Sequence, residues 1–279
     1  SSKEVMAVTE EARVVTYDEE LRIEAYRFSG VAQSFPSHFH EYYVLGLMEA
    51  GQRSLTCRDG VYTLGPGDML LLNPSNSHAC VQCSGGTLNY RGVNFSPAVM
   101  EELAEEVTGE RWPPRFSPPV IHDDEAVRRY RALHTAVMEG AQGLEKEESL
   151  LLLLTLLLRR YSQPFAEDAA VCRNDIRQVC RFIETHYAQR ITLAQLCRCA
   201  GRSKSALLRD FTREKGVTPY RYLVNIRIGA ARKLREQGET PMDAALRTGF
   251  SDQSHFTNYF KHFIGLTPAA YREIFRERR

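Results

Sequence analysis

The stretch GFSDQSHFTNYFKHFIGLTP, residues 249–268, interleaves aromatic residues with short polar ones. The aromatic residues recur at spacings of three and four, which places them on one face of a helix: Phe256, Tyr259, Phe260 and Phe263. Beside them lie amides, hydroxyls and an imidazole: Gln253, Ser254, His255, Thr257 and Asn258. Amide side chains pair bidentately with adenine in the major groove, and hydroxyls pair with several bases. The stretch therefore predicts a helix that packs through its aromatic face and can read DNA through its polar face.

Three histidines in the first third of the chain form a second group of candidate ligands: His38, His40 and His78. His38 and His40 are two residues apart, so on a regular strand their side chains would point to the same side of the sheet. His78 follows a turn that contains Pro74 and Ser75. Three imidazoles brought together could bind a divalent metal. They could instead contact an organic ligand without metal, which we favour, or serve only the structure.

Residues 20 to 95 predict the strands that would hold these histidines. The candidate strands are LRIEAYRF, EYYVLGLMEAG, RSLTCRDGVYTLGPGDMLLLNP and LNYRGVNF. Turn signals such as Asp59-Gly60 and Gly65-Pro66-Gly67 interrupt them. Strands this short, with turns this frequent, indicate a β-barrel or sandwich.

The pattern changes to helices at Ser96, which begins a predicted helix with Pro97 at its first position. Two more helices are predicted over about 123–140 and 145–162. The second contains the run LLLLLTLLL, so leucines cover nearly its whole circumference. Such a helix must be buried on several sides, which predicts packing on the barrel and on the partner subunit of a homodimer.

The segment SQPFAEDAA, residues 162–170, has little to bury and is typical of a linker. The predicted organisation is therefore a barrel domain with following helices over residues 1–162, a linker over 163–171 and an all-α domain over 172–279. The predicted fold class is α+β. Helices of the second domain are predicted over about 173–187, 192–199, 203–214, 219–236, 240–247, 251–263 and 267–276.

Two segments of the helical domain repeat one plan: LAQLCRCAGRSKSALLRDFTREKG and PMDAALRTGFSDQSHFTNYFKHFIG. In each, a short helix leads into a glycine turn, a serine caps the next helix, and a phenylalanine anchors its back. This is the helix-turn-helix plan, whose second helix enters the DNA major groove. The helix between the two units, about 219–236, would be about 27 Å long. That is close to one DNA turn of about 34 Å, so one monomer could reach two successive major grooves.

Charge divides the chain in the same place. The net charge is +1, but residues 1–171 hold 15 Lys and Arg against 25 Asp and Glu, whereas residues 172–279 hold 21 against 10. An acidic domain of −10 beside a basic domain of +11 indicates that the C-terminal domain meets a polyanion such as double-stranded DNA.

The run ALRTGFSDQSHFTNYFKHFIGLTPAAYR, residues 245–272, resembles the signature of the AraC family of bacterial transcription regulators. The resemblance extends more loosely over about 175–273. It implies base contacts from Ser205, Leu208 and Arg209 in the first unit, and from Gln253, Ser254, His255 and Asn258 in the second. Leu208 stands where the family often has a polar reader, so there the first unit would contact thymine methyls or read DNA shape. The residues placed for phosphate contacts are Arg202, Ser203, Lys204, Arg213, Ser251 and Lys261.

The stretches FPSHFHEYYVLGLMEAG and TLGPGDMLLLNPSNSH resemble a cupin barrel, which in AraC-like regulators often binds the effector. The candidate effector contacts are His38, His40, Tyr42, His78, Tyr90 and Asn94. The candidate metal ligands are His38, His40 and His78. Two departures weaken the metal hypothesis. Val44 and Leu45 stand where metal cupins carry a glutamate, and the second motif lacks its usual asparagine.

These features favour a transcription regulator that binds DNA as a homodimer and responds to a small molecule. RNA polymerase would be a further partner of an activator. The alternatives are a metal-responsive regulator and a metal-dependent cupin enzyme, of which the missing glutamate disfavours the enzyme. The seven cysteines are expected to be free thiols. No apolar run reaches the roughly twenty residues needed to span a bilayer, so we expect a cytoplasmic protein without a membrane partner.

Overall fold

The computed structural model describes residues 11–38, 40–57, 60–83, 86–162, 173–264 and 267–271. The chain divides into two compact units, residues 1–167 and 168–279. The division falls inside the predicted linker, which itself lies outside the described residues. Strands and helices make up the first unit, and the described part of the second is helical. The α+β fold class is therefore confirmed.

Two antiparallel sheets form the first part of the N-terminal unit. Their strands are β1 (Ala12–Asp18), β2 (Ile23–Val31), β3 (Phe35–His38), β4 (Tyr43–Ala50), β5 (Arg53–Cys57), β6 (Gly60–Leu64), β7 (Met69–Leu72), β8 (His78–Gln82), β9 (Leu88–Phe95) and β10 (Val120–Ile121). The six-stranded sheet has the order β1-β2-β9-β4-β7-β10, and the four-stranded sheet has the order β3-β8-β5-β6.

Both faces of the central strands are covered. On β2, Ile23 and Ala25 are 0% exposed on one face, whereas Glu24 and Tyr26 alternate with them on the other. The first face packs under a helix, since Tyr130 donates its hydroxyl hydrogen to the backbone carbonyls of the two neighbouring strands β4 and β9. The second face is left to line the space between the sheets.

Three helices complete the N-terminal unit: α1 (Pro97–Thr108), α2 (Asp124–Met138) and α3 (Leu144–Tyr161). Ser96 caps α1 with Pro97 at its first position, as predicted. Asp123 caps α2 and also accepts hydrogen bonds from Arg160 and Tyr161 on α3. Burial opposes ionisation of Asp123, but the backbone N–H of the α2 first turn and these side chains outweigh it and lower its pKa to about 2.

The leucine-rich helix α3 is buried within a single chain. Its leucines from Leu150 to Leu158 are buried except for Leu152, because α1 and α2 pack along it. At its start, the buried Lys146 pairs with Asp18 at 2.5 Å and with Glu20 at 3.1 Å. The reasoning that this helix needs a partner subunit to cover it is therefore wrong, and a homodimer stays a prediction without that support.

The C-terminal unit consists of α4 (Arg173–His186), α5 (Leu193–Ala200), α6 (Lys204–Lys215), α7 (Pro219–Glu236), α8 (Pro241–Arg247) and α9 (Gln253–Ile264), and residues 268–271 are also helical. Side-chain caps at Thr192, Ser203, Thr218 and Thr240 begin α5 to α8. Each cap accepts a backbone N–H of the first turn, which explains why the sequence predicted these starts to within about a residue.

Two arginines of α7 hold the unit together. Arg227 donates to the backbone carbonyls of Tyr187 and Gln189, and burial lowers its pKa. Arg235 is 1% exposed and donates two hydrogen bonds to the carbonyl of Pro268. Both guanidinium groups satisfy backbone acceptors, so they act as structural contacts between α7 and the connections that flank it.

The structure differs from the predicted elements at two places in the barrel. Strand β1 precedes the region predicted to hold strands, and its side chains are largely exposed, so no hydrophobic period marks it. Strand β3 ends at His38, so His40 lies beyond the strand, and the premise that both histidines share one strand is wrong. No helix within the described ranges is both long and apolar enough to cross a bilayer. None of the described cysteines forms a disulfide, and Cys172 lies outside the described residues.

Candidate DNA-binding surface and effector cavity

Helix α9 separates an apolar back from a polar front, as its sequence predicts. Phe256 and Phe260 are 0% exposed and pack with Phe250 and α7. The side chain of Phe263 lies outside the described residues. On the front, Gln253, Ser254 and Asn258 are exposed and His255 is half-buried. Thr257, which was not predicted as a reader, lines one shallow depression with Gln253, Ser254 and Asn258.

The start of α9 corrects one prediction. Asp252, not Ser251, caps the helix, since the Asp252 carboxylate accepts the backbone N–H of His255 at 2.7 Å. The Ser251 hydroxyl instead donates to Asp252 at 3.3 Å. Ser251 is exposed and remains a predicted phosphate contact.

Helix α6 exposes fewer of its predicted base-contacting side chains to solvent than α9 does. Leu208 is 1% exposed and Ser205 is 7% exposed, beside the fully buried Leu207 and Phe211. Residues 207, 208 and 211 form one apolar stripe on the helix, which turns Leu208 into the core. Neither side chain therefore offers much surface to a base edge in this structure, and base contacts by Leu208 and Ser205 stay predictions.

Three arginines converge on one buried carboxylate beside α6. Asp210 is 0% exposed and accepts from Arg202 at 3.3 Å, from Arg209 at 3.2 Å and from Arg213 at 3.0 Å. Arg202 also pairs with Asp175 at 3.0 Å and is only 18% exposed. Arg202, predicted to contact phosphate, is therefore held as a structural bridge between α4 and α6. Arg213, at 57% exposure, and Arg209, at 26%, remain partly exposed, so their predicted contacts with DNA stay possible sterically.

The remaining predicted phosphate contacts lie at helix positions with access to solvent. Ser203 is exposed and caps α6 by accepting the N–H of Ala206. Lys204 is half-buried, and Lys261 is exposed at the far end of α9.

The two sheets of the N-terminal unit enclose a cavity of about 300 Å³. It is lined by Val15, Glu24, Tyr26, Phe28, Phe35, His40, Tyr42, Val44, Met48, Leu55, Leu64, Leu70, Leu72, His78, Cys80, Leu88, Tyr90 and Asn94. A mostly apolar concave space with a few polar groups is the usual form of a small-molecule site. Five of the six predicted effector contacts line it, and the side chain of the sixth, His38, lies outside the described residues.

Two glycines make room for the tyrosines of the cavity wall. A Cβ on Gly46 would lie 1.8 Å from the Tyr90 hydroxyl, and a Cβ on Gly92 would lie 2.0 Å from the Tyr26 ring. The two hydroxyls hydrogen-bond each other, and burial raises the pKa of both tyrosines above the ordinary value. Both therefore stay neutral and can donate hydrogen bonds at the pH of a cell.

The imidazoles meet at one end of the cavity. The His40 ring lies 4.7 Å from the Tyr42 ring and 5.2 Å from the His78 ring, measured between centroids. Nδ1 of His78 lies 3.0 Å from the Asn76 carbonyl. Among the described side chains, no three potential ligands are grouped as a metal site would need. Since the His38 side chain is outside that set, the three-histidine metal site stays a prediction.

An acidic group that was not predicted as a ligand contact lies beside Asn94. Asn94 Nδ2 donates to Glu24 Oε1 at 2.9 Å, while the buried Asn94 Oδ1 has no hydrogen-bond partner among the described residues. Burial raises the pKa of Tyr42, and the negative charge of Glu24 adds to this effect. In the sequence, the alternation of Glu24, Tyr26 and Phe28 along one strand indicates that the three side chains share a face. A glutamate in such a pattern more often lies on a solvent-exposed face, so the pattern alone does not predict that Glu24 lines a cavity.

Comparison with known proteins assigns both units. Residues 20–157 match the AraC-like ligand binding domain, and residues 196–274 match a helix-turn-helix domain. The HTH-type transcriptional regulator YbfI of Bacillus subtilis is 47% identical over 246 residues, which cover 88% of this chain and 90% of the relative. The chain belongs to the AraC family of transcription regulators. It therefore combines an N-terminal ligand-binding domain with a DNA-binding domain.

Further relatives and solved structures are similar to most or to part of the chain. The HTH-type transcriptional activator RhaS of Klebsiella pneumoniae is 27% identical over 259 residues, covering 86% of this chain and 88% of the relative. Among solved structures, the DNA-binding domain of AdpA in complex with a target DNA is 26% identical, covering 38% of this chain and 96% of its own, with a TM-score of 0.36. A probable AraC family regulator from Rhodopseudomonas palustris is 28% identical over 37% of this chain and 97% of its own, with a TM-score of 0.35.

Proposed function

We propose that the regulator recognises one operator through both helix-turn-helix units, and that a small molecule in the barrel cavity changes its affinity for that operator. The observation that carries the first part is the front of α9, where Gln253, Ser254 and Asn258 are exposed behind a fully buried aromatic core. Neutral hydrogen-bonding groups held on a rigid helix are suited to base edges.

The first unit contributes mainly through charge in this proposal. Arg209 is the predicted base reader of α6 that keeps accessible surface, and Arg213 and Lys204 are placed for phosphates. Arginine pairs bidentately with guanine, so Arg209 would select a guanine under α6.

The cavity supports the second part. A ligand that binds the barrel and changes operator affinity must itself bind more tightly or more weakly in the presence of the operator, by the same factor. The proposed activity is binding and regulation, not catalysis, and we place it in the cytoplasm. RhaS is named an activator; if this chain also activates transcription, RNA polymerase would be a further partner.

We retain a homodimer in the proposal, with an interface other than α3. Strand β1 lies at the edge of the six-stranded sheet and exposes Val14, Val15 and Tyr17. An apolar sheet edge is a surface that proteins commonly cover by association. Native mass spectrometry of the full chain, compared with its Val14→Lys variant, would locate the interface there if only the parent is dimeric.

The reader assignment is tested with DNA selected from a random library by the full chain. Gln253→Ala and Asn258→Ala should each weaken binding to the selected site by about 1–3 kcal/mol, while leaving binding to unrelated DNA unchanged. Fluorescence anisotropy at fixed salt measures both affinities. Gln178→Ala, which removes an exposed amide from α4, is the matched control. If both α9 variants keep the parent's ratio of specific to unspecific affinity, α9 does not read bases through these amides.

A further inference from the structure

The wall of the cavity in the N-terminal unit has polar side chains at one end and apolar side chains at the other. Strand pairing places Glu24 beside Asn94 at one level of the wall and Phe28 beside Tyr90 at another, with Tyr26 between them. Tyr42, whose ring stacks on His40, lines the same cavity as Glu24; burial raises the pKa of Tyr42, and the charge of Glu24 adds to this effect. Met48 of β4 pairs with Tyr90 of β9, so the apolar part of the wall includes this level of the sheet. A ligand that fills this cavity must therefore have one polar end and an apolar body.

The polar end combines acceptors with neutral donors: beside the Tyr42 hydroxyl and the imidazoles of His40 and His78 it holds the carboxylate of Glu24 and the amide of Asn94. The Glu24 carboxylate accepts a hydrogen bond from Asn94 Nδ2, and Asn94 Oδ1 has no partner among the described residues. No lysine or arginine is among the described residues that line the cavity. Glu24 is half-buried, so its carboxylate has lost part of its contact with water, and a positive or hydrogen-bond-donating group that pairs with it offsets this loss. The site therefore favours a ligand that brings donors and positive charge.

An ammonium group meets this requirement. It carries three N–H donors and no acceptor, which suits the two oxygens of Glu24 and the free carbonyl oxygen of Asn94. The tyrosine faces of the wall add a second attraction, because cations bind over aromatic rings. The rings of Tyr26 and Tyr90 lie with their centroids 6.0 Å apart, on the same wall as Glu24.

We propose that the effector is an amphipathic amine, whose ammonium group binds Glu24 and Asn94 and whose aromatic or short aliphatic body lies against Tyr26, Phe28 and Tyr90. This inference rests on the proposed function, since it assigns the chemical class of the molecule in the cavity. The volume of about 300 Å³ suits a molecule on the order of ten non-hydrogen atoms, given roughly 30 Å³ for a group the size of water.

The positive charge of Arg53 could make the cavity prefer an anionic ligand to a cationic one. Arg53 is 1% exposed; its Nη2 donates to the Val31 carbonyl, while Nε and Nη1 have no partner among the described residues. Arg53 does not line the cavity, whereas Leu55 and Leu64 do. The Arg53 guanidinium is thus not among the groups that border the ligand space, so the amine is favoured over a carboxylate.

The test uses three molecules with one body and different heads: 2-phenylethylamine, 2-phenylethanol and 3-phenylpropanoate. Isothermal titration calorimetry on the full chain should give the amine the highest affinity, about tenfold or more above the alcohol, because a hydrogen bond between charged partners is stronger than one between neutral partners. Glu24→Gln should remove that advantage and leave the alcohol unchanged. Glu41→Gln, which alters an exposed glutamate, is the matched control and should bind like the parent.

Four results would overturn the inference: equal or tighter binding of the alcohol or the acid, an unchanged amine affinity in Glu24→Gln, an equal loss in Glu41→Gln, or no binding of the amine at about 1 mM. Acid binding that disappears in Arg53→Leu would move the charged contact to Arg53. Circular dichroism and binding to the selected DNA show whether each variant is folded. If the amine binds through Glu24 but does not alter DNA affinity, the ligand class stands and the proposed effector role fails.

Discussion

The two helix-turn-helix units share a backbone plan but differ in what their second helices present. In α6, arginines surround the buried Asp210, and Leu208 faces the core. In α9, the exposed front consists of neutral side chains such as Gln253 and Asn258, with Lys261 as the exposed cation at its far end. The same geometry therefore supports two kinds of contact, one dominated by charge and one by hydrogen bonds.

The difference separates affinity from specificity. Contacts with phosphates supply sequence-independent, salt-sensitive binding, whereas contacts with base edges select the site. We therefore expect α6 to contribute mostly affinity and α9 to contribute most of the sequence preference. The turns differ too: Gly201 and Gly249 both have positive φ, 63° and 87°, but only Gly249 packs against another segment.

The largest expected effect comes from the turn of the second unit. A Cβ at Gly249 would lie 2.9 Å from the backbone carbonyl oxygens of Tyr187 and Ala188, which cannot move as a side-chain tip could. Gly249→Ala should therefore cost about 3 kcal/mol, the sum of left-handed backbone strain and overpacking. Urea unfolding, with hydrogen exchange of the α5–α9 amides as a local readout, measures the loss.

Gly201→Ala is the control for that experiment. Its φ of 63° carries similar strain, but among the described residues no atom beyond its two chain neighbours lies within 4 Å of the added Cβ. We expect a cost of about 1 kcal/mol. Equal losses in the two variants would show that the contact with the α4–α5 connection does not constrain the second turn, and the structural contrast between the units would lose one of its supports.

The next effect tests the charge cluster of the first unit. Asp210→Asn would leave three arginines without their shared carboxylate, and we expect a loss of about 2 kcal/mol. The value is below that of a fully buried pair because the arginines are 18%, 26% and 57% exposed and solvent screens them. Asp252→Asn, at the cap of α9, should change stability by only a few tenths of a kcal/mol, since asparagine also caps helices. If the two variants lost comparable free energies of unfolding, the arginine cluster around Asp210 would not distinguish α6 from α9.

The helices of the C-terminal unit could be predicted because their signals are local. Caps and glycines fix the ends of α5 to α8, and the aromatic period fixes the buried side of α9. Leu208 shows the limit of this reasoning. A family position that often carries a polar reader was assigned to DNA, although a leucine three residues before Phe211 extends the apolar stripe of the helix. The apolar side chain of Leu208 explains its burial, and its position in the family motif does not.

The cavity could be predicted only in part, because its chemistry depends on strands that are distant in sequence. Glu24 and Asn94 meet through the β2–β9 register, which no local pattern encodes. The interpretation of the leucine-rich helix α3 was wrong for the same reason. Helices α1 and α2 bury the leucines that we expected a second subunit to cover. The glycines under Tyr26 and Tyr90 likewise gain meaning only when the strands pair.

The smallest expected effect is a difference in salt dependence between single cations of the two units. Each lost phosphate contact should reduce the slope of log affinity against log salt by about 1. Lys261→Ala should show this full reduction, because Lys261 is exposed at the end of α9. Arg213→Ala should show less, since Arg213 already shares its charge with Asp210 at 3.0 Å. Anisotropy titrations over a range of potassium concentrations measure both slopes. Equal reductions would mean that Arg213 leaves Asp210 on binding DNA, and that α6 contacts phosphates as freely as α9.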